Sequence, residues 1–413
     1  MATSKRQDTT ARNSAVWVPT AGQPGREPMT DTGKADPSDE GEPVSFSVVI
    51  VTHEREELCR RAHESVARAA RRHDGGVEVL LVNSSARPLF DREPDKLIEV
   101  HVPRRGGSAA KRNIGIERAN HEWVVFVDDD CRISEDALGR LAREIAERTD
   151  AAALYPITEF DGTAAFPLRC CEQTHFTHHF EASRYDAERE WGPCTLAAVS
   201  RNALLEIGGF DESFTSGAGG EDVDLGLRLA ERGYAQYGIP EVLVKHDART
   251  WNSLEANLRR FFHYGLGETD LQRAHPNRTH LKLNALGTET ALALAMVPAF
   301  VLAGRSLLWP LAVTLFALLL LACYAVYNRR AYGKSLLEGA VLRLYDYAFE
   351  AGNLYNSVRA GAVSAPFFRH RSGTNTQSPF PFGREEFVYP DEVPTLIALA
   401  LAATLTYALV VGS

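Results

Sequence analysis

The sequence predicts an α/β fold, a Rossmann-like doubly wound sheet, followed by a helical region able to cross a membrane. Three observations carry that prediction. Short apolar runs alternate with helical periodicity through the first third of the chain, the rhythm of strand–helix–strand units with right-handed crossovers. One such run, Trp123 to Val127, ends in three consecutive carboxylates, Asp128, Asp129 and Asp130. Ligands of open α/β sheets bind just beyond the carboxyl ends of the strands. Past residue 285 the chain turns almost wholly apolar in stretches close to the ~20 residues that a spanning helix needs.

The elements follow in order. Residues 1–44 are rich in Thr, Ser, Gly, Pro, Asp and Glu, a composition expected to stay disordered. They hold no apolar run of the secretory kind, and Met29 offers a second start. Phe46 to Thr52 reads as a buried central strand, followed by a polar turn, His53 to Glu56. A helix over 56–72 places Leu58, Ala62, Val66 and Ala69 on one face. Val77 to Val82 is the second strand, ending at Asn83-Ser84-Ser85, and Ile98 to Val102 the third. Gly106 and Gly107 open a helix over 108–119, and Trp123 to Val127 is the fourth strand. Residues 150–250 are less regular, with one clear helix over 221–232.

Thr290 to Ala303, extended back to Leu286, and Leu307 to Tyr327 read as a membrane hairpin about Gly304-Arg305-Ser306. Val393 to Val411 reads as a third span. Arg273, Arg278 and Lys282 precede the hairpin, and Arg329, Arg330 and Lys334 follow it. The positive-inside rule makes those flanks cytoplasmic. The expectation is a multi-pass cell-membrane protein with its α/β domain in the cytoplasm. Between the second and third spans, Leu337, Val341, Leu344, Ala348, Tyr355 and Val358 recur at helical spacing, as in an interfacial amphipathic helix. The expected units are therefore 1–44, 45–270, 286–327, 328–392 and 393–411.

A chain of 413 residues, 45% apolar, can bury a large core. Its net charge of −9 argues against an electrostatic nucleic-acid binder. Arg far outnumbers Lys, which with the acidity suggests a GC-rich, salt-loving source. The six cysteines include no C-x-x-C pair, as expected in a reduced compartment.

Three adjacent carboxylates repel one another unless positive charge sits among them. A divalent ion carrying a diphosphate meets that need, because Mg²⁺ takes oxygen ligands and is held by one or two carboxylates plus substrate phosphates. Asp128 and Asp130, two residues apart, face one side of an extended segment. A second acidic group stands far off in sequence. Gly208-Gly209-Phe210-Asp211-Glu212 precedes a glycine-rich stretch, 217–220, which leads into Glu221, Asp222 and Asp224 at a helix start. The helix macrodipole favours negative charge there, yet capping accounts for one carboxylate and not three.

Five segments occur in sequence: SVVIVTHER at 47–55, GSAAKRNIG at 107–115, VDDD at 127–130, GGFDE at 208–212 and GED at 220–222. In that order they resemble the family 2 glycosyltransferases of GT-A fold, over about residues 45–250. The resemblance implies a nucleotide-sugar donor (UDP- or GDP-linked), a divalent cofactor, Mg²⁺ or Mn²⁺, and an inverting single displacement. By position it implies nucleoside contacts from Thr52, Glu54 and Arg55, and nucleotide or phosphate contacts from Arg112 and Asn113. It places Asp128, Asp129 and Asp130 at the metal, ribose and diphosphate, and Asp222, beside Glu221, as general base. His246 falls where relatives place a late metal or diphosphate ligand. The family usually has an acidic residue at the end of the second strand to contact the base. Asn83 stands there instead, able to donate and accept hydrogen bonds.

The three spans and the interfacial helix point to a membrane lipid-linked acceptor, a polyprenyl or dolichyl phosphate or a glycan on such a carrier. Related architectures serve archaeal N-glycosylation and bacterial surface-glycan assembly. A processive synthase is the rival enzyme, but Leu258 to Phe262 lacks the Gln and Trp of its Q-x-x-R-W motif. A non-catalytic membrane scaffold is the rival from another class, and the intact Asp128, Asp130 and Asp222 argue against it. His175, His178 and His179 do not match the H-E-x-x-H zinc pattern and read as an acceptor-side loop or as packing.

Overall fold

The computed structural model describes residues 43–90, 97–102, 106–184, 187–214, 219–370 and 392–411. The expectations for residues 1–42, Met29 included, lie outside that set. The strands are β1 (Phe46–Thr52), β2 (Val77–Asn83), β3 (Leu97–His101), β4 (Trp123–Asp128), β5 (Cys131–Ile133), β6 (Ala151–Asp161), β7 (Leu196–Ser200), β8 (Ala235–Asp247), β9 (Thr279–Leu281) and β10 (Phe368–His370). Helices of the first part are α1 (Glu56–Arg72), α2 (Ser108–Arg118), α3 (Ala137–Glu147), α4 (Phe166–Cys171), α5 (His178–Glu181), α6 (Arg201–Glu206) and α7 (Glu221–Glu231). Five follow: α8 (Leu254–Ala274), α9 (Ala285–Leu302), α10 (Trp309–Tyr332), α11 (Leu336–Arg359) and α12 (Glu392–Thr406).

Eight strands form one mixed sheet in the order β3-β2-β1-β4-β7-β6-β8-β5. The first four are parallel, as expected. β7 then runs antiparallel to both β4 and β6, and the short β5 runs antiparallel to β8. Alternation along β1 explains why it lies at the centre. Phe46, Val48 and Ile50 enter one core with Val66, Leu138 and Leu141, while Val49 and Val51 enter the other with Ile114 and Leu225. A strand buried on both faces needs this unbroken apolar run.

α8 and α11 pack side by side and approach very closely. A Cβ added at Gly265 would stand 1.9 Å from the Phe349 carbonyl oxygen, and one at Gly352 would stand 2.0 Å from that of Phe262. The face that α11 turns inward is polar: Arg343, Asp346, Glu350, Asn353 and Asn356 are buried. Arg343 donates to Glu289 of α9 at 2.6 Å, and the Tyr324 and Tyr347 hydroxyls donate to the same carboxylate at 2.9 and 2.6 Å. The outward face is apolar, with Leu337 65%, Tyr355 56% and Val358 79% exposed.

α9 and α10 are long and apolar enough to cross a membrane. α12 is shorter, 15 residues followed by a π-helical turn to Val411, and packs against both. The hairpin's two flanks join the α/β region. Arg278 donates to Glu190 at 2.8 Å, and Lys334 donates to the Arg169 and Glu172 carbonyls at 2.6 Å each.

Candidate active site

Positive charge does sit among the three carboxylates, supplied by the chain itself. Arg55, placed by the turn after β1, donates to Asp129 at 3.1 Å and to Asp130 at 3.0 Å. The Thr52 hydroxyl donates to Asp129 at 2.7 Å. Arg112 of α2 is buried and donates to Asp128 at 2.9 Å and, with its other terminal nitrogen, to Glu221 at 3.0 Å. One guanidinium thus ties the end of β4 to the start of α7, across 93 residues of sequence. Thr52, Arg55, Arg112, Asp128, Asp129, Asp130, Glu221, Asp222 and His246 line a single cavity of about 440 Å³.

The carboxyls there are not equivalent. Burial, then the neighbouring Glu221, push Asp222 up to about 7 against the pull of Arg112. Burial pushes Asp128 up to about 6, and burial with Asp130 does the same for Asp129. Burial opposes ionisation of Asp130 too, but His246 and Arg55 hold it below the usual range.

Oxygen and nitrogen donors fit a hard divalent ion at this end of the cavity. Side-chain donor atoms of Asp130, Cys131 and His246 lie within 4.8 Å of one another. His246 turns Nε2 toward Asp130 at 3.5 Å, and its Nδ1 is buried without a hydrogen-bond partner among the described residues. Burial and the three aspartates push the Cys131 thiol far up.

Three of the expected site residues are engaged with neighbouring loops and do not line the cavity. Asn83 is fully buried; its amide donates to the Arg87 carbonyl and Glu99 and accepts from the Ser85 N–H. It braces the turn after β2 and is not among the residues that line the cavity. Glu54, at a φ of +54°, accepts from the Ala86 N–H at 2.9 Å and ties the turn after β1 to the one after β2. Asn113 clamps the Gly208–Glu212 turn, its amide accepting the Phe210 N–H at 2.8 Å and donating to the Phe210 carbonyl at 2.9 Å. These three shape the loops that carry the site.

With that geometry in hand, the comparison with known proteins is decisive. The sequence model of glycosyltransferase-like family 2 matches residues 47–270, more than half of the chain. This chain belongs to glycosyltransferase-like family 2. A pre-mycofactocin glycosyltransferase of Mycobacterium tuberculosis is 30% identical over 219 residues, 49% of this chain and 44% of that relative. The chain therefore spans less than half of the relative's length. Among solved structures, mannosyltransferase PcManGT from Pyrobaculum calidifontis, in complex with GDP-Man and Mn²⁺, is 16% identical. That match covers 90% of this chain and 88% of the other at a TM-score of 0.44. GalNAc-T7 with UDP, GalNAc and Mn²⁺ is 17% identical, over 50% of this chain and 43% of the other, at a TM-score of 0.38.

The cavity of this family 2 glycosyltransferase has walls that the sequence did not announce. Buried Lys111 donates to the Thr52 carbonyl at 3.0 Å, and burial lowers its pKa. Arg260 of α8 lies 3.9 Å over the Trp251 ring and donates to Asn257 at 2.6 Å. A signal was present: Asn257-x-x-Arg260-Phe261 keeps the amide–Arg–aromatic spacing of Q-x-x-R-W when read one residue earlier than Leu258. His175 and His179 also line the cavity. His175 Nε2 lies 3.1 Å from Asp346 of α11, while burial pushes His179 down to about 3.

Proposed function

We propose that this glycosyltransferase moves a sugar from a nucleotide-diphosphate donor to a membrane lipid-linked acceptor by a single inverting displacement, in protein N-glycosylation or surface-glycan assembly. One observation carries the reading: Arg112 draws Asp128 and Glu221 together, so Asp222 shares a cavity with the aspartate triplet. Asp128, Asp130 and His246 would hold Mg²⁺ or Mn²⁺, which when bound neutralises charge on the departing diphosphate. Arg55, Lys111 and Arg112 surround the same end and supply fixed positive charge where it develops. Asp222, a carboxylate with raised proton affinity, takes the proton of the attacking hydroxyl, an effect of roughly 10²–10⁴-fold.

The acceptor assignment is supported by the helical region. α9 and α10 are apolar enough to span, and both hairpin flanks bond to the α/β region, in keeping with a catalytic domain on the positive, cytoplasmic side. α11 exposes Leu337, Tyr355 and Val358 while burying its polar face, as suits a helix lying in the lipid interface. The test is a panel of labelled UDP- and GDP-sugars with native membrane lipid and Mn²⁺ or Mg²⁺. Metal-dependent label in the lipid fraction, lost in Asp222→Asn, is the expected result. Label confined to water-soluble product would remove the lipid acceptor, and full activity in Asp222→Asn would remove the base.

A further inference from the structure

α8 is cut down to bare backbone where it meets the segment that carries Asp222. Gly219 and Gly220 enter α7 at φ of +101° and +103°, a conformation closed to most side chains. The carbonyl of Gly219 rests on Gly267, where an added Cβ would stand 2.4 Å from that oxygen and 3.0 Å from its carbon. A Cβ on Gly219 would stand 2.7 Å from the Tyr264 ring, and one on Gly220 would stand 3.5 Å from Gly267 Cα. Gly267 itself lies mid-helix and has no positive φ. Glycine in such a place destabilises a helix relative to alanine. Nothing in the helix asks for it; the contact with Gly219 does.

We propose that Gly267 is a positioning residue: the bare backbone of Gly267 and the Tyr264 ring on α8 form the seat that sets the height of Gly219–Gly220 and so aims Asp222 into the cavity. The donor end, at Asp128, Asp130 and Arg112, is carried by β4, the turn after it and α2, and meets this segment through the Arg112–Glu221 pair. The proposal rests on Asp222 being the base, and it separates two things that a disordered site would lose together. Filling the seat lifts the base, while Asp128 on β4 and Asp130, held by Arg55, keep the donor's grip. Misplacement of a reacting group by an ångström costs up to about 100-fold in rate.

The experiment uses the full chain in detergent, Mn²⁺, and whichever nucleotide sugar of the panel the wild type hydrolyses. Gly267→Ala should lower kcat by about 10- to 100-fold and leave the donor KM within about twofold. Gly139→Ala, with open space around it, should change neither. Should Gly267→Ala fail to fold, Tyr264→Ala opens the seat instead of filling it and should give the same split, kcat falling at constant KM. Wild-type kcat in Gly267→Ala, or a KM that rises in step as kcat falls, overturns the proposal. So does an unaltered Tyr264→Ala. An active Asp222→Asn would instead remove the base assignment, and the seat's role with it. An inactive Asp222→Asn beside a fully active Gly267→Ala removes only the seat.

Discussion

The sheet and the α11 region bury opposite kinds of surface. β1 hides Val48, Val49 and Ile50 on both faces, and α1 and α2 turn apolar residues toward it. α11 hides Arg343, Asp346, Glu350 and Asn353 and displays Leu337, Tyr355 and Val358. In water the second arrangement loses free energy at every exposed apolar side chain, roughly 25 cal/mol per Å². Against lipid that loss vanishes, and internal polar contacts become the bonds that hold helices together. The difference is what the proposed membrane attachment requires: one chain built for two solvents.

Predictions sharpen that contrast in descending size. Asp222→Asn should lower kcat by roughly 10²–10⁴-fold with donor binding by calorimetry unchanged; a parallel loss of binding would mean that the residue holds the donor. Arg343→Met leaves Glu289 buried without its cation and should cost about 3–5 kcal/mol, read by denaturant unfolding in detergent. Ile50→Ala, in the water-facing half, should cost about 2–5 kcal/mol through its cavity. If the first of these two variants proves neutral, the buried ion pair is dispensable and the contrast weakens. Leu337→Gln and Val358→Gln should stay within about 0.5 kcal/mol of wild type in detergent and reduce sedimentation with anionic vesicles; full retention on vesicles would place that face away from lipid.

Acidity separates the halves too. As the proposed base Asp222 must be ionised, and burial with Glu221 pushes it up to about 7, so kcat should fall as pH drops through that value, and a flat profile would exclude it as base. His275 ties α7 to the end of α8 through Asp224 at 3.0 Å and Glu231 at 3.2 Å. Its hydrogen bond with Asp224 raises its pKa above 6.5. Its contribution to stability is therefore complete below pH 6.5 and lost as pH rises through the raised value. His275→Gln should flatten that dependence in thermal melts.

How far the sequence could be read depended on the range of the interaction. Strands β1 to β4 and helices α1, α2 and α7 were legible almost to the residue, because alternation and helical spacing are local. The reversal of β7 was not, since pairing joins segments about 75 residues apart. Thr52, Arg55, Arg112, the aspartates, Asp222 and His246 were placed in one site by motif order. The directions in which Asn83, Glu54 and Asn113 point depend on Glu99, Ala86 and Phe210, partners that no motif names. The inward polar face of α11 was hidden for the same reason: Glu289 and His175, which answer Arg343 and Asp346, come from distant stretches.

The guanidinium of Arg112 gives the cleft a latch made from the chain itself. Its two walls, one from β4 and one from α7, are held shut against each other by a charge that never leaves with product. With both walls already joined, a donor needs to spend little of its binding energy on drawing them together.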